Sequence, residues 1–138
     1  MKAVLLILLS LLLVGCVAPA SMEKRIGIES NSVLPILDSA IIIKCHKPLT
    51  TKDVWAGTGS SLKCMTPESE YNPTRDGSIM RKIKSGTGVR FVSIHGSRAF
   101  DVYYFVEVQV LNGDMGSSVA VMSWNLEKLF GLTFKADY

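Results

Sequence analysis

A chain of 138 residues and 15.1 kDa holds one domain of ordinary size together with a targeting segment. Its 15 Lys+Arg against 12 Asp+Glu leave a formal charge of +3, without the clustered basic stripe of a nucleic-acid-binding protein. The mean hydropathy of +0.29 is high for a globular chain, and the excess is concentrated in the first twenty residues.

Those residues read as an address. Lys2 supplies a minimal positive start, and residues 3–14 form an uncharged run interrupted only by Ser10. A run of about 12 residues covers about 18 Å as a helix, short of the roughly 30 Å of hydrocarbon in a bilayer. Pro19 stops any extension. The length suits the apolar core of a secretory signal peptide. Its end, Leu13-Val14-Gly15-Cys16, resembles the bacterial lipobox, in which a peptidase cuts before the cysteine and lipid is attached to its thiol and new amino group. The resemblance implies a signal peptide over residues 1–15 and a lipoprotein carrying palmitate-type acyl chains on Cys16. One chain holds a protein to a membrane only marginally at about 0.8 kcal/mol per buried methylene, so several are needed for firm anchoring. Val17, where Asp would signal inner-membrane retention in enterobacterial lipoproteins, implies the outer membrane, lipid-anchored on the periplasmic side; the inner membrane is the alternative. The competing reading is an ordinary secretory signal cut near Ala18 or Ala20.

Residues 16–32 are small and polar with no sustained period and read as a lipidated tether. Residues 33–138 then form a single small β domain. Residues 40–45 (AIIIKC) are a β-branched run of strand length. Val54-Trp55 and residues 61–65 are shorter candidates, separated by the turn signal Gly57-Thr58-Gly59. Residues 66–78 hold two prolines, a glycine and no aliphatic side chain, and read as a loop. Residues 79–83 lead through Ser85-Gly86-Thr87-Gly88 into an alternating strand over 89–94. Residues 100–111 carry the longest β signal. Tyr104, Val106, Val108 and Val110 share one face, and Phe105, Glu107, Gln109 and Leu111 share the other. Asn112-Gly113-Asp114 is a hairpin turn, with a returning strand over 119–124. Asn125 can cap a helical turn over 126–130 that Gly131 stops, and residues 132–134 can form a last short strand.

Short strands, a Gly-Thr turn entering a strand, a long hairpin and a helical turn near the C-terminus resemble a small SH3-like barrel. The likeness covers residues 79–135 and rests on Gly86-Thr87-Gly88-Val89, on Tyr103-Tyr104 through Val110, and on Val119 to Leu126. The expected class is mainly β, a small antiparallel SH3-like barrel with one short helical turn. Another small antiparallel β fold and a mixed α+β domain are the alternatives.

With Cys16 assigned to lipid, Cys45 and Cys64 are the remaining pair, and an oxidising compartment makes them a disulfide. His46 beside Cys45 raises a metal site as the rival, without obvious third and fourth ligands. No metal is expected, and no cofactor beyond the covalent lipid on Cys16. For catalysis, Ser93, His95 and Asp101 are close in sequence, and Glu107 could couple with Asp101, but no nucleophile elbow and no His-Glu-x-x-His motif occurs. The chain reads as a non-enzyme. Neighbours on a strand face opposite ways, so Tyr103, Tyr104 and Phe105 cannot all point inward. Tyr103 or Phe105, with Arg90 and Arg98, is the candidate partner-binding surface. Trp55 and Trp124 read as core. Arg81, Lys82 and Lys84 read as a solvated edge.

The expected function is a non-catalytic, outer-membrane-anchored binding or structural module of the cell envelope, meeting an envelope protein or peptidoglycan and no nucleic acid. The alternatives are an inhibitor or immunity lipoprotein against a lysozyme-type hydrolase, with Lys84-Ser85-Gly86 as a loose match to the loop signature of such inhibitors, and a phage or plasmid exclusion lipoprotein.

Overall fold

The computed structural model describes residues 22–45, 63–97, 103–113 and 118–135. Cys16, Val54-Trp55, Arg98, Asp101 and Asp114 lie outside them, as does the side chain of Tyr103.

Seven strands form one mixed sheet. They are β1 (Val33–Pro35), β2 (Ala40–Lys44), β3 (Lys63–Pro67), β4 (Arg81–Ile83), β5 (Gly88–Ser97), β6 (Tyr103–Val110) and β7 (Ser118–Met122). Their order across the sheet is β1-β5-β6-β7-β3-β2-β4. The β3–β7 pair is parallel and the other described pairs are antiparallel. The expectation of a mainly β domain with a helical turn near the C-terminus therefore holds. The sheet is not closed, and the SH3-like closure is not seen. Past β1, Ile36 extends the β1–β5 pairing into the turn before β5: its N–H donates to the Thr87 carbonyl at 3.0 Å and its carbonyl accepts from Gly86 N at 2.8 Å.

Among the described residues, three short helices frame the sheet: α1 (Met22–Ile26), α2 (Pro73–Asp76) and α3 (Leu126–Phe130). Within the expected tether over residues 16–32, helix α1 corrects the reading for the described part from residue 22. Met22 and Ile26, four positions apart and so on one helical face, are buried in the main core, and the packed domain includes residues from 22 onward. The periodicity was invisible because the helix is only five residues long. A second correction concerns residues 66–78. They contain a 3-10 turn (Glu68–Glu70) and α2 rather than an irregular loop. Asn72 caps α2, accepting from Thr74 N at 3.0 Å, and Pro73 occupies the first turn, where its missing N–H costs nothing. A third concerns residues 132–134, which form no strand; Leu132 and Phe134 instead pack against the core from the side. Helix α3 ends as expected at Gly131, which adopts φ 69° and lets its N–H return to the Glu127 carbonyl.

The main core lies between one face of the sheet and helices α1 and α3. Val106, Val108, Val119, Val121, Leu126 and Leu129 are all fully enclosed. Phe91 meets Phe130 edge to face at 4.7 Å, a favoured aromatic geometry. The four apolar residues of β2, Ala40, Ile41, Ile42 and Ile43, are all buried because both faces of this strand are covered. The opposite face of the sheet therefore carries a second, smaller cluster: Ile41, Ile43, Cys45, Cys64, Phe105, Ala120 and Met122, with Tyr71 and Ile79 packed on it. Strand β4 lies at an edge, and the exposed Lys82 and Lys84 there oppose strand-to-strand association.

Replacing Ile26 by Ala should lower stability by about 2–4 kcal/mol in urea unfolding, as for other buried aliphatic truncations. Glu29→Ala, exposed a few residues on, should stay within about 0.5 kcal/mol. Equal, small effects would mean that α1 does not belong to the core.

Candidate functional site

The outer face of the sheet collects most of the chemistry-bearing side chains. Strand register sets them in rows: Ser93 opposite Glu107, Glu107 opposite Ala120, Ala120 opposite Cys64, and Cys64 opposite Ile43. One row along, His95 faces Phe105 and Phe105 faces Met122.

Ser93 reaches this face because of a bulge. The β5–β6 register shifts between Phe91 and Ser93, leaving Val92 as the extra residue. Strict alternation would put Phe91, Ser93 and His95 on one face. With the bulge, Phe91 and Ile94 turn to the main core, and Ser93 and His95 turn outward. The segment before β1 holds the distortion in place: Ser30 Oγ donates to the Val92 carbonyl at 2.8 Å, and Asn31 N donates to the Phe91 carbonyl at 2.7 Å.

Outside the core, three polar groups meet. Ser93 Oγ lies 2.7 Å from His95 Nε2 and donates to Glu107 Oε2 at 3.0 Å; Glu107 Oε2 is 3.3 Å from His95 Nε2. The β5–β6 hairpin brings Glu107 across to His95, while Asp101, which the sequence offered as a carboxylate couple for Glu107, lies outside the described residues. Burial works to raise the Glu107 carboxyl. Hydrogen bonds from Ser118, Ser93 and His95 outweigh it, and the pKa is held below the usual carboxylate value. The arrangement differs from a catalytic triad, where the acid orients one ring nitrogen and the hydroxyl meets the other. Here carboxylate and hydroxyl share Nε2, so an imidazole proton on that atom blocks it from acting as a base toward Ser93. The cluster reads as a cross-strand network, with the imidazole stacked on Phe105 at 5.0 Å.

A cleft of about 600 Å³ opens farther along the same face. Its floor is Ile43, the Cys45–Cys64 disulfide and Met122, and its polar rim is Thr66, Glu70, Arg75, Asp76 and Asn125, with Trp124 at the margin. Cys45 and Cys64 are bridged as expected, with Cα atoms 5.1 Å apart. The rim is held by α2. Arg75 Nε donates to Asp76 Oδ1 at 2.8 Å, Asp76 Oδ2 accepts from Asn72 N at 2.8 Å, and Arg75 Nη2 donates to the Glu70 carbonyl at 2.9 Å. The hydrogen bond to Asp76, and the charge behind it, hold the Arg75 guanidinium above its ordinary pKa. Asn125, itself buried, points its amide toward Thr66 Oγ1 at 3.5 Å. An apolar floor with a few convergent polar groups is the usual form of a ligand site.

Of the surface expected from Tyr103, Phe105, Arg90 and Arg98, the Tyr103 side chain and Arg98 lie outside the described residues. Phe105 is 4% exposed and belongs to the second cluster, a correction with a simple cause: the outward face of β6 is itself covered, by His95 and by its neighbours on β7. Arg90 is exposed on β5 opposite Gln109, toward the other end of that strand. Trp124, expected in the core, is 59% exposed. It follows Met122, where β7 gives way to a 3-10 turn (Ser123–Asn125), and the change of period turns the indole outward. Lys84 and Ser85 are exposed in the turn between β4 and β5, where Thr87 Oγ1 donates to the Lys84 carbonyl at 2.7 Å. The cleft rim was missed because residues 66–78 read as a loop; Asn72-Pro73 followed by Asp76 is a helix-start pattern that could have marked α2. Among the described residues, no group of three or more His, Cys, Asp or Glu side chains is placed to hold a metal ion, and no helix is long and apolar enough to cross a membrane.

Searches against protein-family models, curated proteins and solved structures match nothing to this chain.

Two outcomes follow from this geometry. Because the Glu107 pKa is lowered on folding, its contribution is present above the ordinary value near 4.5 and is lost as pH falls through the folded value. Urea unfolding should therefore show the wild type's advantage over Glu107→Gln constant at neutral pH and shrinking below pH 4.5; an advantage that grows on acidification would contradict the network. Removing the disulfide in a Cys45→Ser/Cys64→Ser double variant should cost about 3 kcal/mol, on the chain-entropy estimate for a loop of this size.

Proposed function

We propose that the protein is a non-catalytic, lipid-anchored binding module of the bacterial envelope, held by Cys16 on the periplasmic side of the outer membrane, and that the disulfide-floored cleft receives a side chain of an envelope protein. The cleft carries the reading. Its floor is aliphatic and sulfur-bearing, and its rim supplies carboxylates, a guanidinium and an amide at fixed positions. Such a surface suits an apolar side chain flanked by polar backbone. The bridged Cys45–Cys64 pair agrees with an oxidising compartment. The third cysteine then stands at the end of the apolar leader, in the Leu13-Val14-Gly15-Cys16 pattern. The Ser93–His95–Glu107 geometry supports the non-catalytic part, since acid and hydroxyl compete for one ring nitrogen.

In-cell photo-crosslinking tests both halves. A photoreactive residue at Glu70, exposed on the cleft rim, should give a discrete adduct with an envelope protein, and Cys16→Ser should release the protein from the membrane fraction or leave it unprocessed. A photoreactive residue at Ser85 is the comparison. Adducts from Ser85 alone, with a hydrolase, would move the assignment to the inhibitor reading; adducts from Glu70 to peptidoglycan would replace the partner class. No adduct from Glu70 would overturn the cleft as the binding site.

A further inference from the structure

Helix α1, the C-terminal segment and the margin of the cleft form one pole of the domain. Arg25 lies over the Tyr104 ring at 4.3 Å, and Tyr104 meets Phe134 at 5.1 Å. Lys135 N donates to the Arg25 carbonyl at 2.8 Å, and Arg25 Nη1 donates to the Lys135 carbonyl at 3.1 Å. A shallow depression lined by Trp124, Leu132 and Phe134 continues the same surface. The pole thus presents a 59% exposed indole and partly exposed Tyr104, Leu132 and Phe134, with Lys24 and Lys135 exposed beside them. Its carboxylates among the described residues are Glu23 and Glu127.

We infer that this pole lies against the lipid headgroups of the membrane that holds the protein, with Trp124 at the interface. The inference rests on the lipid anchor at Cys16 proposed above. The occupant follows from chain length. Five residues separate Cys16 from Met22, and Met22 is packed in the core at the start of α1. At the extended limit of the backbone, that stretch spans about 20 Å at most. The lipidated cysteine therefore keeps α1, and the aromatic surface joined to it, close to the bilayer, and it excludes a long reach toward distant layers of the envelope. The surface has the matching chemistry. Trp and Tyr place an apolar ring and a polar N–H or O–H at the boundary between hydrocarbon and water, and lysine beside them meets anionic headgroups. The opposite pole, at Leu111 to Gly113, is separated from Tyr104 by the length of β6, about 20 Å. It carries no comparable aromatic group among its described residues.

The test uses the full, processed and lipidated protein in vesicles of phosphatidylethanolamine and phosphatidylglycerol, with bromine on the acyl chains close to the headgroup. Flotation of protein with vesicles reads the anchor; bromine quenching of tryptophan emission reads the face. Comparing the wild type with Trp124→Phe isolates the emission of Trp124, because only Trp55 and Trp124 are present. The expected result is flotation together with emission of Trp124 roughly halved or lower in brominated vesicles. An Asn112→Trp change in the Trp124→Phe background reports the far pole and should add no quenched emission. Flotation without quenching of Trp124, or equal quenching at both poles, would overturn the orientation while leaving the anchor standing. Failure of the wild type to float, with Cys16→Ser behaving identically, would remove the anchor and the orientation with it.

Discussion

The sheet is continuous only through one short parallel junction. Lys63 and Cys64 of β3 pair with Val119 and Ala120 of β7, joining the antiparallel unit β2-β3-β4 to the antiparallel unit β1-β5-β6-β7. Two residue pairs make a weak seam by backbone bonding alone, and parallel pairing is slightly less stable per residue than antiparallel. Side chains reinforce it on both faces. Met65, Val119 and Val121 lock it from the main core, and Cys64, Ala120 and Met122 lock it from the second cluster. The disulfide from Cys64 to Cys45 ties the same strand to the end of β2.

That junction also decides where the chemistry sits. The row from Ser93 through Glu107, Ala120 and Cys64 to Ile43 crosses it, so the polar network on β5 and β6 and the disulfide floor of the cleft share one face. The apolar part of the row, Ala120, Cys64 and Ile43, is buried, while Ser93 and Glu107 at its other end are partly exposed. Helix α2 then closes one side of the floor with a hydrogen-bonded rim whose geometry owes more to Asn72 capping and the Arg75–Asp76 pair than to apolar packing. Exposed ion pairs such as Lys82–Glu68 at 3.7 Å and Lys128–Glu70 at 3.6 Å contribute little beside these.

The faces of this domain divide its labour. One face of the sheet is spent on the core that α1 and α3 cover, and the other supplies the cleft. The pole at α1 carries the exposed Trp124 beside the partly buried Tyr104 and Phe134. Under the proposed anchoring at Cys16, the five residues before the packed helix would leave the domain little freedom of height above the membrane, and a partner for the cleft would be met close to the bilayer.

Much of the fold was legible in residues 40–45 and 79–131. The β-branched and alternating segments there hold β2 (Ala40–Lys44), β5 (Gly88–Ser97) and β6 (Tyr103–Val110), Asn112-Gly113 lies between β6 and β7 with Gly113 at φ 89°, and Gly131 ends α3. These features are local: period, turn residues and caps act within a few positions of the chain. The disulfide, too, followed from a count of cysteines. What needed the tertiary structure was everything that depends on which surface covers which. Helix α1 is stable because the core accepts Met22 and Ile26, not because five residues favour a helix in isolation. Phe105 is buried although its face is part polar, since neighbouring strands bring Met122 and His95 to it. The bulge at Val92 reverses the facing of Ser93 and His95, and no alternation pattern announces it. The sequence by itself determined strand periods, turns and the cysteine pair, because short-range sterics and composition set those. The tertiary structure alone decided the open seven-stranded order, the second buried face and the cleft, because they arise from contacts between residues far apart in the chain.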